Sequence, residues 1–344
     1  MAYSTIDKSS LYQNSVNYTG NNTGQSITGV GFQPDMVWNK SRVNTEAHNL
    51  WDIIRGTTKG LVPNDSGGES TWATGLTSFD SDGWTMGSLD SMNDGSIDYI
   101  AWCWKAGGAG SANTVGSIDS TVSVNTTSGF SIVQYVGDGA ASATIGHGLG
   151  AKPKMFVVKS LVSDDWTVYN ESVGAEYGMF WNNTDAKTDN DEYFYDTEPT
   201  STVFSIGTNG RVNDIGVTYM AYCFSEISGY SKFGSYKGNG NADGAFIYTG
   251  FKPTFAICKQ TNSANDWRLI TDIVNTRNTN SNEVNKNLYI QSTAAESGTG
   301  VDFVSNGIKI KSTSTGINGN GDSYTYIAFG QPLISNSGVC ATAR

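Results

Sequence analysis

The chain has 344 residues, of which 15% are charged and 12% aromatic, with 41 glycines against 6 prolines and a formal net charge of −11. That charge excludes nonspecific binding to nucleic acid or anionic membrane, which needs Lys and Arg against phosphate. The aromatic content excludes a disordered polar chain, and the mixture of aromatic, β-branched, Gly and Asn residues points to short strands joined by tight turns.

Residues 1–17 alternate Tyr, Ile and Val loosely with polar residues and read as an edge strand or an extended arm. They contain no basic stretch followed by an apolar run, so no secretion signal is expected. No apolar run approaches the length of a membrane-crossing helix.

One phrase is then spelled three times: Gly31 to Lys40, Gly150 to Lys159 and Gly250 to Lys259. Pro follows the Gly by three residues, Lys follows the Pro by six, and an apolar run lies between. The copies lie roughly 100 to 120 residues apart, a domain-sized period. Each is preceded by an aromatic-x-Gly-Asn/Asp turn, at Tyr18, Tyr135 and Tyr236. Pro at a strand entrance and a short apolar run after it predict a strand buried on both faces. A half-exposed strand follows, with His48 standing where Trp166 and Trp267 stand in the other copies.

The middle of each copy diverges into polar inserts and then the copies reconverge. An Asn-to-Gly turn is expected at Asn93–Gly95, Asn213–Gly216 and Asn318–Gly321. The closing strands read Tyr99 to Trp104, Tyr219 to Phe224 and Tyr326 to Phe329. Period two places Ala101 and Cys103 on one face and Trp102 and Trp104 on the other. Ala106 to Asn113 is Gly- and Ser-rich and reads as a flexible linker. A hairpin turning at Asn125–Gly129 follows, and Ser228–Ser231 joins the second and third copies without a spacer. No sustained 3.6-residue apolar stripe is present, so few helices are expected.

The fold expected is all-β: three tandem homologous β-sandwich units, jelly-roll-like, of about seven or eight strands each. The first spans 1–105 with its N-terminal arm, a linker and strand span 106–127, and the second and third units span 128–227 and 228–344.

The phrases "GFQPDMVWNKSR", "SFDSDGWTMGS", "YIAWCWKAGG", "GFSIVQYVGDG", "IGHGLGAKPKMFVVK" and "TYMAYCFSEISGYSKFGSYKGNG" resemble a family of tailed-phage structural proteins, frequent in marine phages and described as tail-fibre-like. The resemblance covers nearly the whole chain and carries no catalytic motif. It implies a virion protein that is made in the host cytoplasm and works on the extracellular particle. The implied role is host attachment, with capsid-surface decoration or a vertex role as the alternative. Implied partners are other virion proteins, a host-surface glycan or receptor, and further copies of the chain, with a trimer favoured. Nucleic acid, membrane and cofactors are not expected.

Catalytic chemistry is not expected either. His48 and His147 lack the setting of a triad. A polysaccharide depolymerase would need a carboxylate pair about 5 to 9 Å apart in a cleft, whereas Asp80 with Asp82, and Asp189, Asp191 and Glu192, sit beside turn residues and read as solvated. Asp80-Ser81-Asp82-Gly83 lacks the later Glu of a calcium loop and reads as a turn. Of the four cysteines (Cys103, Cys223, Cys258 and Cys340), the first two occupy one position in two copies and are expected as buried free thiols. The candidate binding residues are the aromatics of the inserts, with Trp72 and Tyr289 among them. The hypothesis centres on residues 176–198, where Phe180, Trp181, Tyr193, Phe194 and Tyr195 stand beside Asn and Asp.

Overall fold

The computed structural model describes residues 4–274 and 283–334. Among these the structure is almost entirely antiparallel β, and each helix is a single turn. Cys340 lies outside the described residues; Cys103, Cys223 and Cys258 are free and buried.

One strand order recurs in three places. In the first unit the opening strand Gln13–Thr19 pairs with the closing strand Asp98–Trp104, which pairs with the Pro-led strand Met36–Ser41, which pairs with Asn49–Asp52. In the second the order is Phe130–Val136, Thr218–Phe224, Met155–Ser160 and Thr167–Asn170. In the third it is Ser231–Lys237, Ser323–Pro332, Phe251–Gln260 and Arg268–Thr271. Registers match as well. Trp38 faces Trp102, Val157 faces Tyr222 and Ile257 faces Ile327 across the same pair of strands.

The closing strand of the third unit is offset from its expected alignment. Tyr18 and Tyr135 pair with Tyr99 and Tyr219, but Tyr236 pairs with Tyr324 rather than with Tyr326. A slip of two residues preserves every inward and outward assignment in a strand, so the sequence pattern alone does not exclude it. The structure fixes the alignment through side chains. The Tyr99, Tyr219 and Tyr324 hydroxyls donate to the carbonyls of Asp90, Gly210 and Thr315 and accept from the N–H groups of Asp94, Asp214 and Gly319. Each of these rings stacks on the opening-strand tyrosine, with centroids 5.2, 5.2 and 4.9 Å apart.

The expected Asn-to-Gly turns begin at the ends of single helical turns. Asn93, Asn213 and Asn318 end single-turn helices and are fully buried. Each amide accepts the N–H of a residue in the loop after the opening strand, Asn21, Asp138 or Asn239, and donates to surrounding carbonyls. A buried amide costs little only when its donors and acceptor are all engaged.

Every main sheet is two-sided. One face carries the unit's own core: Trp51, Trp84 and Cys103 in the first, Phe156, Phe204 and Cys223 in the second, and Ile270, Phe303 and Ala328 in the third. Smaller strands close that side, such as Leu76–Asp80 with Gly83–Met86, or Ala143–Gly146 with Val203–Ile206. The opposite faces of all three sheets meet in one shared core containing Trp38, Trp102, Trp104, Phe224, Phe255 and Phe329. The centre of that core is apolar and nearly filled, with a void of about 20 Å³ bounded by Met36, Met155, Phe255 and their neighbours. It is too small to act as a ligand chamber.

Ala106 to Asn113 is not a free linker. Asp35 accepts the N–H groups of Ala106 at 2.7 Å and Gly108 at 3.3 Å, Ser123 Oγ accepts from Gly107, and Ser111–Asn113 pairs with Ser120–Asn125. Burial raises the Asp35 carboxyl above its ordinary range, opposed by those backbone donors. The expected hairpin is present, with Gly129 N–H donating to Asn125.

Candidate functional site

The second insert is built into the frame. Tyr177–Phe180 is an added strand beside Thr167–Asn170, and a single helical turn, Asp191–Phe194, follows. Phe180, Trp181, Tyr193 and Phe194 are buried. Phe180, Tyr193 and Phe194 pack into the second unit's own core, and Trp181 reaches the shared core, its ring 5.3 Å from Trp38. A ring enclosed on all sides cannot stack on a sugar, so these four are scaffold and not a binding face. Trp72 is partly buried against Trp51. Tyr289 is half-buried and bonds Ser297.

The inserts instead lock the units together, in a pattern that repeats around the molecule. Glu69 N–H donates to Leu161 O, Lys187 N–H to Thr261 O, and Glu296 N–H to Arg42 O, at 2.9, 3.1 and 2.8 Å. The acceptors stand two residues after Lys159, Lys259 and Lys40. Seven residues before each donor, a carbonyl of the same insert takes a ring N–H from the next unit. Trp166 Nε1 donates to Val62 O at 3.1 Å, Trp267 Nε1 to Phe180 O at 2.7 Å, and His48 Nε2 to Tyr289 O at 3.0 Å. First clasps second, second clasps third, and third clasps first, so the chain closes on itself. Gly68 belongs to this seam: a Cβ there would meet Leu161 O at 2.5 Å.

The repeated Lys lies in the same seams. Lys40, Lys159 and Lys259 are buried, and each ammonium donates to the carbonyl of the following residue, at Ser41, Ser160 and Gln260. Lys159 also reaches Ser66 O, and Lys259 reaches Thr184 O, each in the preceding unit's insert. Burial pushes all three down to about 8, opposed by nearby carboxylates such as Glu46, Asp164 and Asp185.

Both histidines are internal. His48 Nδ1 accepts the Trp38 indole N–H at 2.9 Å, which makes Nε2 the protonated nitrogen. Burial, with Lys40 adding to it, pushes His48 down to about 3. His147 Nδ1 accepts from Leu149 N–H, and burial pushes it down to about 4. Asp82 accepts the N–H groups of Gly29 at 3.0 Å and Gly31 at 2.5 Å, while Asp80 accepts from Ser78 and Thr85, so Asp80 fastens its own hairpin and Asp82 ties that hairpin to the Gly29–Gly31 loop. Among the described residues no group of three or more His, Cys, Asp or Glu is placed to hold a metal ion.

Of the five candidate aromatics, Tyr195 alone is exposed, at 46%. It caps the turn Asp191–Phe194 in the left-handed region with φ of 53°, and Asp196 follows at 44°. Bulky residues rarely adopt this conformation, and each costs of order 1 to 3 kcal/mol. Thr197 holds the turn, its N–H donating to Phe194 O and its hydroxyl to Tyr195 O. Asp189, Asp191, Glu192, Asp196 and Glu198 of the same insert are also exposed. Glu198 accepts from Lys152 at 2.9 Å and from the Tyr169 hydroxyl. Nothing in residue type separates Tyr195 from its four buried neighbours on the insert.

No curated protein and no solved structure matches the chain. Residues 8–332 match the family described as Domain of unknown function (DUF7483), and the protein belongs to that family.

Proposed function

We propose that the protein is a non-enzymatic structural component of a bacteriophage virion, a tail-fibre-type attachment protein. In this reading three copies of one sandwich unit form a closed body, and the Tyr195 turn contacts a host-surface glycan or receptor. The observation that carries the contact is the exposed left-handed pair Tyr195–Asp196, on an insert whose Phe180, Trp181, Tyr193 and Phe194 are internal. Strain retained in an otherwise well-tied loop is a signature of recognition sites. An exposed tyrosine on an insert rich in exposed carboxylates combines a flat apolar face with hydrogen-bond acceptors, the pairing that sugar hydroxyls and rings require.

A second reading, capsid-surface decoration or a vertex role, is favoured by the closed seams, which give one compact body rather than a shaft. Gold-labelled antibody against the chain, viewed on intact phage particles, separates the two. Label at the tail tip supports attachment, label over the capsid moves the assignment to decoration, and unlabelled particles overturn both. Within the attachment reading, Tyr195→Ala is expected to abolish binding of the purified chain to host cells while its melting temperature stays unchanged. Undiminished cell binding by this variant would remove the turn from the contact.

A further inference from the structure

The third unit ends in an open edge that carries exposed aromatic rings. Its eight-stranded sheet ends at Phe246–Tyr248, which pairs only with Gly307–Ile310. Ile247 is buried, while Phe246 and Tyr248 are 48% and 58% exposed. Ile310 N–H donates to Ala245 O, and Thr249 N–H donates to Asn306 O. By antiparallel alternation the backbone groups of Phe246 and Tyr248 therefore point outward along the free edge.

Register identifies the equivalent residues elsewhere. Phe246 faces Lys309 where Ser26 faces Thr85 and Thr144 faces Ser205. The residue two further on is Tyr248, Thr28 or Gly146. Only the third unit carries aromatic rings at both places. In the second unit the same edge is occupied by the chain itself. Thr144 O accepts the N–H groups of Ser117 and Ile118, and Thr144 N–H donates to Ser117 Oγ at 2.8 Å. This edge is thus one on which an extended segment docks through the backbone.

We propose that Phe246–Tyr248 pairs with the same strand of a second copy, antiparallel about a two-fold axis through Ile247. The two outward-facing residues flank Ile247 symmetrically, so each Phe246 meets a Tyr248 of the other copy. Four backbone hydrogen bonds form and two aromatic cross-strand pairs stack on one face. Pairing also removes an aromatic edge strand that would otherwise invite aggregation, and an isologous contact closes at two copies.

Charge selects this patch. Two chains of net charge −11 repel over most of their surfaces. Beside the edge strand, Lys309 is paired with Asp243 at 2.6 Å and Lys311 with Asp302 at 3.5 Å, so the contact zone is locally neutral. This two-fold contact differs from the trimer that the resemblance implies.

Analytical ultracentrifugation of the full chain tests this, at concentrations up to about 100 µM, where a micromolar contact is filled. The expected result is a dimer that becomes a monomer in the double variant Phe246→Ser, Tyr248→Thr, with an unchanged melting temperature. Ile215→Ser, at a residue 76% exposed on a different turn, should leave the dimer intact. Register is tested in a Cys340→Ser background by mixing Phe246→Cys with Tyr248→Cys chains. The mixture should form a disulfide-linked pair under mild oxidation, and neither chain alone should do so. A monomeric wild type, a trimer, a dimer insensitive to the double variant, or cross-linking of either single variant with itself overturns the proposal.

Discussion

Two of the three seams are closed by an indole and the third by an imidazole. At the first-to-second and second-to-third seams, Trp166 and Trp267 donate to a carbonyl of the preceding insert. At the third-to-first seam His48 does so, and the volume it lacks is supplied by Trp38, which stands where the other units have Val157 and Ile257. The indole of Trp38 donates to His48 Nδ1, so two smaller choices in one seam become a paired choice in another. The position is therefore defined by a donor aimed at a neighbouring carbonyl and by a volume to fill, not by a residue type. The substitution also has a chemical consequence: of the three seams, this one has a ring donor that titrates.

The largest expected effect comes from opening an indole seam. Trp267→Ala removes a fully buried ring and leaves Phe180 O without its donor. A loss of about 3 to 5 kcal/mol is expected. Because the three sheets share one core, calorimetry should show a single transition moved down as a whole. Separate melting of the third unit, with the remainder unmoved, would break the picture of one closed body.

Acid should distinguish the imidazole seam next. Burial pushes His48 down to about 3, whereas the unfolded chain protonates near 6.5. Between those values the unfolded state binds the proton and the folded state does not, so stability falls as pH falls from about 6.5 towards 3, by as much as about 1.4 kcal/mol per pH unit from this group. His48→Gln keeps a donor towards Tyr289 O and an acceptor for Trp38 without titrating. Urea midpoints at pH 7 and pH 4.5 should draw closer together in this variant than in the parent. His147, pushed down to about 4, adds a second component that the variant retains. An unchanged gap between the two midpoints would show that the His48 imidazole does not sense acid.

A smaller effect is expected from converting one kind of seam into the other. His48→Trp places two indoles where one fits, at a cost of about 1 to 3 kcal/mol. Adding Trp38→Val gives the pairing already used in the second unit and should recover most of that loss. The double-mutant cycle then reads a favourable coupling between the two changes. Additive losses would mean that the seams are not interchangeable solutions to one packing problem.

The sequence carried the frame and concealed the seams for a single reason. The Gly-to-Lys phrase and the alternating closing strands are side-chain patterns, and each marks a strand that the structure contains, although the closing strand of the third copy is offset by two residues. Even the position shared by His48, Trp166 and Trp267 was legible. What it contacts was not, because Val62, Phe180 and Tyr289 contribute main-chain carbonyls, and Glu69, Lys187 and Glu296 contribute main-chain N–H groups. A backbone group leaves no signature in residue type, so carbonyls carried by Val, Phe and Tyr make the same bond. The same blindness made Phe180, Trp181, Tyr193 and Phe194 look like a surface: aromatics beside Asn and Asp read alike whether the rings point in or out. The order of the Ala106–Asn113 stretch is hidden likewise, since it comes from Asp35, 71 residues before Ala106 and 73 before Gly108.

The smallest expected effect on stability belongs to the residue outside all three seams. Tyr195 is exposed and held at φ of 53°, so its side chain contributes little packing while its backbone carries strain. Tyr195→Gly relieves that strain, since glycine enters the left-handed region at the end of a helical turn without a Cβ clash. Its greater freedom in the unfolded chain offsets part of the gain. The expected net is a stabilisation of at most about 1 kcal/mol, read as a slightly higher urea midpoint. Tyr195→Ala keeps the strain and loses only the ring, so its midpoint should stay within about 0.5 kcal/mol of the parent. The order of the two variants carries the argument. Glycine above alanine means that the turn is held against its local preference by the surrounding insert, as a presented contact would be. Alanine and glycine both well below the parent would mean that the ring packs against the frame, and Tyr195 would then join the four buried aromatics as scaffold.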